Sequence, residues 1–84
     1  MTPAIADIVG LAGSAIFIAA FAYANFAKRF DKLWFNLANL IGAALLLASL
    51  WVNFNLAAFV LEVAWAAIAL LGIIGAFRAR MVAA

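Results

Sequence analysis

Residues 33–54 read LWFNLANLIGAALLLASLWVNF, a run of 22 positions without Asp, Glu, Lys or Arg. A helix of about 20 apolar residues crosses a hydrocarbon layer of about 30 Å, so this run is long enough to span a membrane. Two further apolar runs flank it, at residues 4–27 and 56–77. Each run is expected to be helical, because a lone segment in lipid must satisfy its own backbone hydrogen bonds. The sequence therefore predicts an all-α bundle of three transmembrane helices, at about 4–27, 33–54 and 56–77, forming a single domain over residues 1–84.

The composition supports this fold and excludes several functions. Hydrophobic residues are 74% of the 84-residue chain and charged residues 10%, whereas ordinary globular domains are about 45–50% apolar and about 25% charged. Without Cys or His the chain cannot form a disulfide, a Cys/His metal site or an imidazole acid–base catalyst. The net charge of +2 is too small for binding nucleic acid. We expect the lipid bilayer as a partner, and no cofactor and no bound metal.

All five basic residues lie in two short regions: Lys28, Arg29 and Lys32 after the first run, and Arg78 and Arg80 after the third. With three spans, these regions fall on the same side of the membrane. Basic residues in short loops are strongly biased to the cytoplasmic side. The five residues are therefore topology determinants, which also can contact anionic lipid headgroups. They predict a cytoplasmic C-terminus and an N-terminus outside.

Small and polar residues recur on one side of each predicted helix when residues are placed at about 100° per step. In membranes such residues mark helix–helix interfaces, whereas large aliphatic residues face lipid. The pattern predicts a polar seam between the helices, formed by Ser14, Asn36, Asn39, Ser49, Glu62 and Trp65. It also predicts close helix packing at Gly10, Gly42, Gly72, Gly75 and Ala76.

Glu62 is the strongest candidate for a functional residue, because an ionisable group within a span marks a site by default. It could respond to protons or cations, or form hydrogen bonds to a solute. Alternatively it is protonated, or bonded to Asn or Ser, and only holds helices together. The seam asparagines could likewise serve packing or ligand contact, and Trp65 could fill space or stack on a flat ligand.

Two motifs resemble those of a known family. The pattern N-L-x-N-x-x-G-A-x-L-L begins at Asn36, and E-x-x-W-x-x-I-A-x-x-G begins at Glu62. They resemble the uncharacterised bacterial family of small CBU-type membrane domains, often labelled permeases. The resemblance covers nearly the whole chain and implies a multi-pass protein of the bacterial inner membrane, without an established activity.

The three-span architecture is also similar to SemiSWEET sugar half-transporters and other PQ-loop proteins, which dimerise to form a solute path. The chain lacks their Pro-Gln pair, since its only proline is Pro3. Only the architecture and dimerisation are expected from this likeness.

Three classes of function can be compared. An enzymatic function has the least support, because catalysis would depend on Asp7 or Glu62 without a nucleophile–base pair or a phosphate-binding loop. We therefore expect no catalytic residue. The first serious alternative is a permease-like half-transporter for a small polar solute, acting as a homo-oligomer and most simply as a homodimer. The second is an accessory or scaffold subunit of a larger inner-membrane complex.

Overall fold

The computed structural model describes residues 1–83 and contains three helices. They are α1 (Pro3–Phe26), α2 (Lys32–Leu50) and α3 (Leu56–Ala83). Each is long and apolar enough to cross a membrane, with mean hydropathies of 2.1, 1.8 and 2.3. The prediction of an all-α protein with three transmembrane helices is confirmed, and the chain is a multi-pass membrane protein. Which end of the bundle faces the cytoplasm stays a prediction.

Each helix begins at a capping residue, and the side-chain oxygen of that residue accepts a backbone N–H of the first turn. Thr2 Oγ1 accepts from Ile5 N at 3.2 Å before α1. Asp31 Oδ1 accepts from the backbone of Leu33 at 3.0 Å before α2, and Asn55 Oδ1 accepts from Ala58 N at 3.0 Å before α3. These caps fix where the apolar segments start.

Two helix ends differ from those predicted. α2 ends at Leu50 rather than at residue 54. The turn that follows is joined to α1, since Asn53 donates a hydrogen bond from Nδ2 to Asp7 Oδ1 at 3.0 Å. α3 continues to Ala83 instead of ending at residue 77. Arg80 lies in its last turn, where a cation is favourable because helix carbonyls leave that end partly negative.

α2 is the middle helix of the bundle. α1 and α3 each pack along it, as expected for helices joined by short connections. Within residues 1–83, no Cα atom of α1 lies within 8 Å of a Cα atom of α3. These two outer helices meet through side chains instead, with the rings of Phe17 and Trp65 at a centroid distance of 5.3 Å.

Small residues make up most of the buried core. In the described chain its apolar members are five alanines, one leucine and one isoleucine: Ala6, Ala20, Leu33, Ala43, Ala69, Ile73 and Ala76. Large apolar side chains such as Ile18 and Leu71 are exposed on the outside. This distribution is typical of helices in lipid, where small residues allow close packing and large aliphatic ones face the acyl chains.

The predicted topology determinants lie at one end of the bundle, here called the basic end. It contains residues 27–31, which join α1 to α2, Lys32 at the start of α2, and the last turns of α3 from Arg78 onward. A salt bridge of 2.9 Å between Arg80 Nη2 and Asp31 Oδ2 brings the two segments together. The bundle thus has a basic end and, at the turn of residues 51–55, an end without Lys or Arg.

Candidate functional site

Asn39 and Trp65 form the one side-chain hydrogen bond that joins α2 to α3 within the predicted seam of the described chain. Asn39 is 5% exposed, and its Oδ1 accepts a hydrogen bond from Trp65 Nε1 at 2.9 Å. Its Nδ2 donates to the carbonyl of Phe35 at 2.8 Å, one turn earlier in α2. Both polar ends of the buried amide are therefore satisfied, and the indole is held in a fixed orientation beside Phe17.

Asn36 fills a notch that Gly72 leaves in α3. A Cβ atom built on Gly72 would lie only about 2.5 Å from the Asn36 amide, so no larger residue fits without movement. Asn36 Nδ2 donates to the carbonyl of Lys32 at 2.8 Å. Its polar donor is thus used within α2, and its contact with α3 is steric.

Glu62 lies one turn from Trp65 on the same face of α3. The residue is 8% exposed, and its Oε2 is fully shielded without a hydrogen-bond partner among the described residues. A buried polar atom without a partner carries a desolvation cost, and ionisable groups within spans usually face the bundle interior and serve a function. Chemically, this carboxyl group can hold a proton or accept a hydrogen bond from a bound group.

The two seam serines lie on the α1 side and do not bond to Glu62. Ser14 Oγ donates to the carbonyl of Gly10 at 3.0 Å, within its own helix. The hydroxyl of Ser49 lies against Gly10, about 2.8 Å from where a Cβ atom on that glycine would be. The structure therefore brings Asn39 and Trp65 together, and leaves Ser14, Ser49 and Glu62 in separate contacts.

A wide groove opens between α1 and α3, beside the contact between Phe17 and Trp65; we call it the α1/α3 groove. Its volume is about 690 Å³. Phe17 and Phe21 form the α1 wall and Trp65 the α3 wall, with Asn25 toward the basic end. Asn25 Nδ2 donates to the carbonyl of Phe21 at 2.8 Å, so the groove is apolar with one amide at its margin.

The glycines differ in what they contact. Gly42 lies under the ring of Phe17. Gly13, which was not among the predicted packing positions, makes a close backbone approach between α1 and α2. A Cβ atom on Gly13 would lie 2.8 Å from the carbonyl oxygen of Gly42. Gly75 differs from the expectation of close packing: a Cβ atom there would meet nothing within 4 Å, because Gly75 lines an open groove rather than a helix contact.

The polar cluster of Tyr23, Asp31 and Arg80 at the basic end was also missed. The backbone N–H of Asp31 donates to the Tyr23 hydroxyl at 2.6 Å. Asp31 caps α2 and accepts from Arg80 Nη2 through both carboxylate oxygens, at 3.0 and 2.9 Å. An Asp directly before an apolar run is a helix-capping signal, so the cap was readable from the sequence, but the pairing with Arg80 was not.

No group of three or more potential metal-binding side chains (His, Cys, Asp or Glu) lies together in residues 1–83. The three acidic side chains are spread along the bundle: Asp7 at the end without basic residues, Asp31 at the basic end, and Glu62 buried within α3.

A sequence model of an uncharacterised bacterial family matches residues 6–80, a range that includes nearly all of the three helices. The chain belongs to this family. The resemblance to an uncharacterised bacterial family is thereby confirmed, whereas the permease label and the likeness to SemiSWEET proteins are not. No curated protein and no solved structure matches the chain.

Proposed function

We propose that the protein is a permease-like half-transporter of the bacterial inner membrane, which acts as a homo-oligomer, most simply a homodimer, and carries a small polar solute. The observation that carries the proposal is the shielded Glu62 oxygen without a partner. A carboxyl group held in this state costs folding free energy. Its retention is explained if the group binds a proton or a solute during a transport cycle.

The α1/α3 groove supports the requirement for a second copy. A groove that is open along one side cannot isolate a polar solute from lipid. Two copies related by a twofold axis would bring identical grooves face to face, with Trp65 and the neighbouring Glu62 of each chain near the shared path. The space between protomers would then be lined by aromatic side chains and by Asn25 at its margin, and Glu62 would lie one helix turn from Trp65.

A specific observation favours the second function, an accessory subunit in a larger membrane complex. The amides of Asn36 and Asn39 are dry and bonded within the chain, so these two residues already serve helix packing. A scaffold needs only such packing and an exposed apolar surface for its partner. The two functions therefore differ in the role of Glu62.

Proteoliposomes containing the purified full chain test the transport proposal. We expect proton flux, or uptake of labelled sugars or amino acids, above that of empty liposomes. Glu62→Gln keeps the size of the side chain and should lower the flux about tenfold or more, equivalent to about 1.4 kcal/mol in the barrier. The matched control is Asp7→Asn, which changes a carboxylate that is exposed and bonded to Asn53, and it should retain the wild-type flux.

Flux equal to that of empty lipid for the wild-type protein would contradict transport, and co-purification with a larger membrane protein would then support the accessory role.

Disulfide crosslinking in native membranes tests the homodimer separately. Because the chain has no Cys, a single introduced Cys can crosslink only to the same position in a second copy or to another protein. Phe21→Cys, in the α1/α3 groove, should form a disulfide-linked dimer. Leu71→Cys, equally exposed but outside that groove, should not.

A further inference from the structure

A second groove lies at the basic end, between the segment that joins α1 to α2 and the last turns of α3; we call it the basic-end groove. Its volume is about 450 Å³. Arg29 lines it from the connecting segment, Lys32 from the start of α2, and Arg80 from α3. Three cationic side chains therefore surround one opening at the basic end of the bundle.

The single acidic residue in this groove does not neutralise all three cations. Asp31 is engaged as the cap of α2 and in the salt bridge with Arg80. In the described part of the chain, Arg29 and Lys32 form no salt bridge. The groove thus carries a net charge of +2 from its lining residues (three cations and one carboxylate), which favours an anionic ligand.

The inner wall of the groove is apolar. Leu33, Gly75 and Ala76 line it below the charged residues. Gly75 lies five positions before Arg80, which corresponds to about 7.5 Å along the helix axis toward the membrane centre. Because no atom lies within 4 Å of a Cβ position on Gly75, the space beside this wall is open. The groove therefore presents positive charge at its mouth and apolar surface at depth.

We propose that the basic-end groove binds one anionic phospholipid. The phosphate lies between Arg29 and Lys32, and the first part of an acyl chain lies over Gly75. Basic pockets between transmembrane helices bind anionic headgroups by this combination of charge and apolar depth. A soluble anion would use only the charged mouth, so the open apolar wall is what selects a lipid. The proposal depends neither on transport nor on the orientation of the chain.

Native mass spectrometry of the full chain in detergent tests the site, with dioleoyl phosphatidylglycerol and dioleoyl phosphatidylcholine as probes. We expect one phosphatidylglycerol per chain to be retained in preference to phosphatidylcholine. Arg29→Gln and Lys32→Gln should each weaken retention about fivefold, as expected for one basic residue near a lipid surface. Arg78→Gln is the matched control, because it removes the same charge at the same end but does not line the groove.

A second pair of variants tests the apolar wall. Gly75→Leu should fill the groove and abolish the preferential retention, while the helical content is kept and the thermal stability is not lowered, because the added Cβ atom meets open space and leucine has a higher helix propensity than glycine. Ala67→Leu, on an exposed part of α3 outside the groove, should have no effect on retention.

Three results would overturn the proposal. Equal retention of the two lipids would show that charge does not select the ligand. An effect of Arg78→Gln as large as that of Lys32→Gln would show diffuse attraction to the basic end rather than a built site. Displacement of phosphatidylglycerol by inorganic phosphate, together with normal retention by Gly75→Leu, would identify the ligand as a free phosphate.

Discussion

The middle helix, α2, contacts its two neighbours in different ways. Toward α1 it presents backbone: Gly42 lies opposite Gly13, and a single added Cβ atom on Gly13 would clash with the Gly42 carbonyl oxygen. Toward α3 it presents two amides, one filling the notch at Gly72 and one bonded to the indole of Trp65. Both interfaces are closely packed, but one is steric and the other is also directional.

The two kinds of contact stabilise the bundle in different ways. Lipid is as apolar as a helix surface, so membrane helices associate through close packing and interhelical hydrogen bonds rather than through burial of apolar area. The contact between Gly13 and Gly42 is lost when a larger side chain replaces the glycine, because the opposing atoms belong to the backbone and cannot adopt another rotamer. A hydrogen bond in a membrane is worth only about 0.6 kcal/mol on average. We therefore expect added volume toward α1 to cost most and a lost hydrogen bond toward α3 to cost least.

The largest effect is expected for Gly13→Leu. The new side chain must push α1 away from the Gly42 carbonyl and from the side chains of Leu45 and Leu46, and overpacking of this kind costs about 1–3 kcal/mol or more. Thermal unfolding in detergent, followed by circular dichroism, should show a large fall in Tm or loss of the folded protein.

Its control is Ala12→Leu, which adds the same type of side chain at the exposed neighbouring position. That variant should unfold like the wild type. If Gly13→Leu also unfolded like the wild type, the close approach of α1 and α2 would be refuted.

An intermediate effect is expected at Gly72, and the opposite sign at Gly75. Gly72→Ala places a methyl group against the Asn36 amide, which the Lys32 carbonyl holds in place, so we expect a loss of about 1–3 kcal/mol. Gly75→Ala meets open space and gains up to about 1 kcal/mol of helix propensity. The two Tm values should therefore move in opposite directions. A decrease for both would mean that Gly75 is also packed.

The helices were predictable from the sequence because their cause is local. Three long apolar runs determine three spans, whatever their neighbours are. The ends were less predictable, because they depend on contacts between distant residues. The turn after α2 is joined to α1 by the hydrogen bond from Asn53 to Asp7, and the last turns of α3 are joined to the start of α2 by the bridge from Arg80 to Asp31, 49 positions apart.

The sequence predicted which face of each helix carries the site residues, but not which of these residues contact each other between helices. Helical periodicity put Asn39 and Trp65 toward the interior, since it depends only on spacing along one helix. Their hydrogen bond depends on the axial register between α2 and α3, which the periodicity of either helix alone does not specify. The same limit applies to Gly72 and Gly75, which lie three positions apart in α3. Gly72 packs against Asn36, whereas Gly75 faces open space.

The smallest effect is expected for the hydrogen bond between Trp65 and Asn39. Trp65→Phe removes the Nε1 donor but keeps an aromatic ring beside Phe17, and Asn39→Ala removes the acceptor. A double-mutant cycle of the two, measured by unfolding in detergent, should give a coupling of about 0.6 kcal/mol and not above about 1.7 kcal/mol. Trp34→Phe serves as the control, because this indole is exposed at the start of α2 and should show no coupling to Asn39→Ala. A coupling of zero for Trp65 would mean that the α3 interface, like the α1 interface, is held by shape alone, and the distinction between the two sides of α2 would no longer hold.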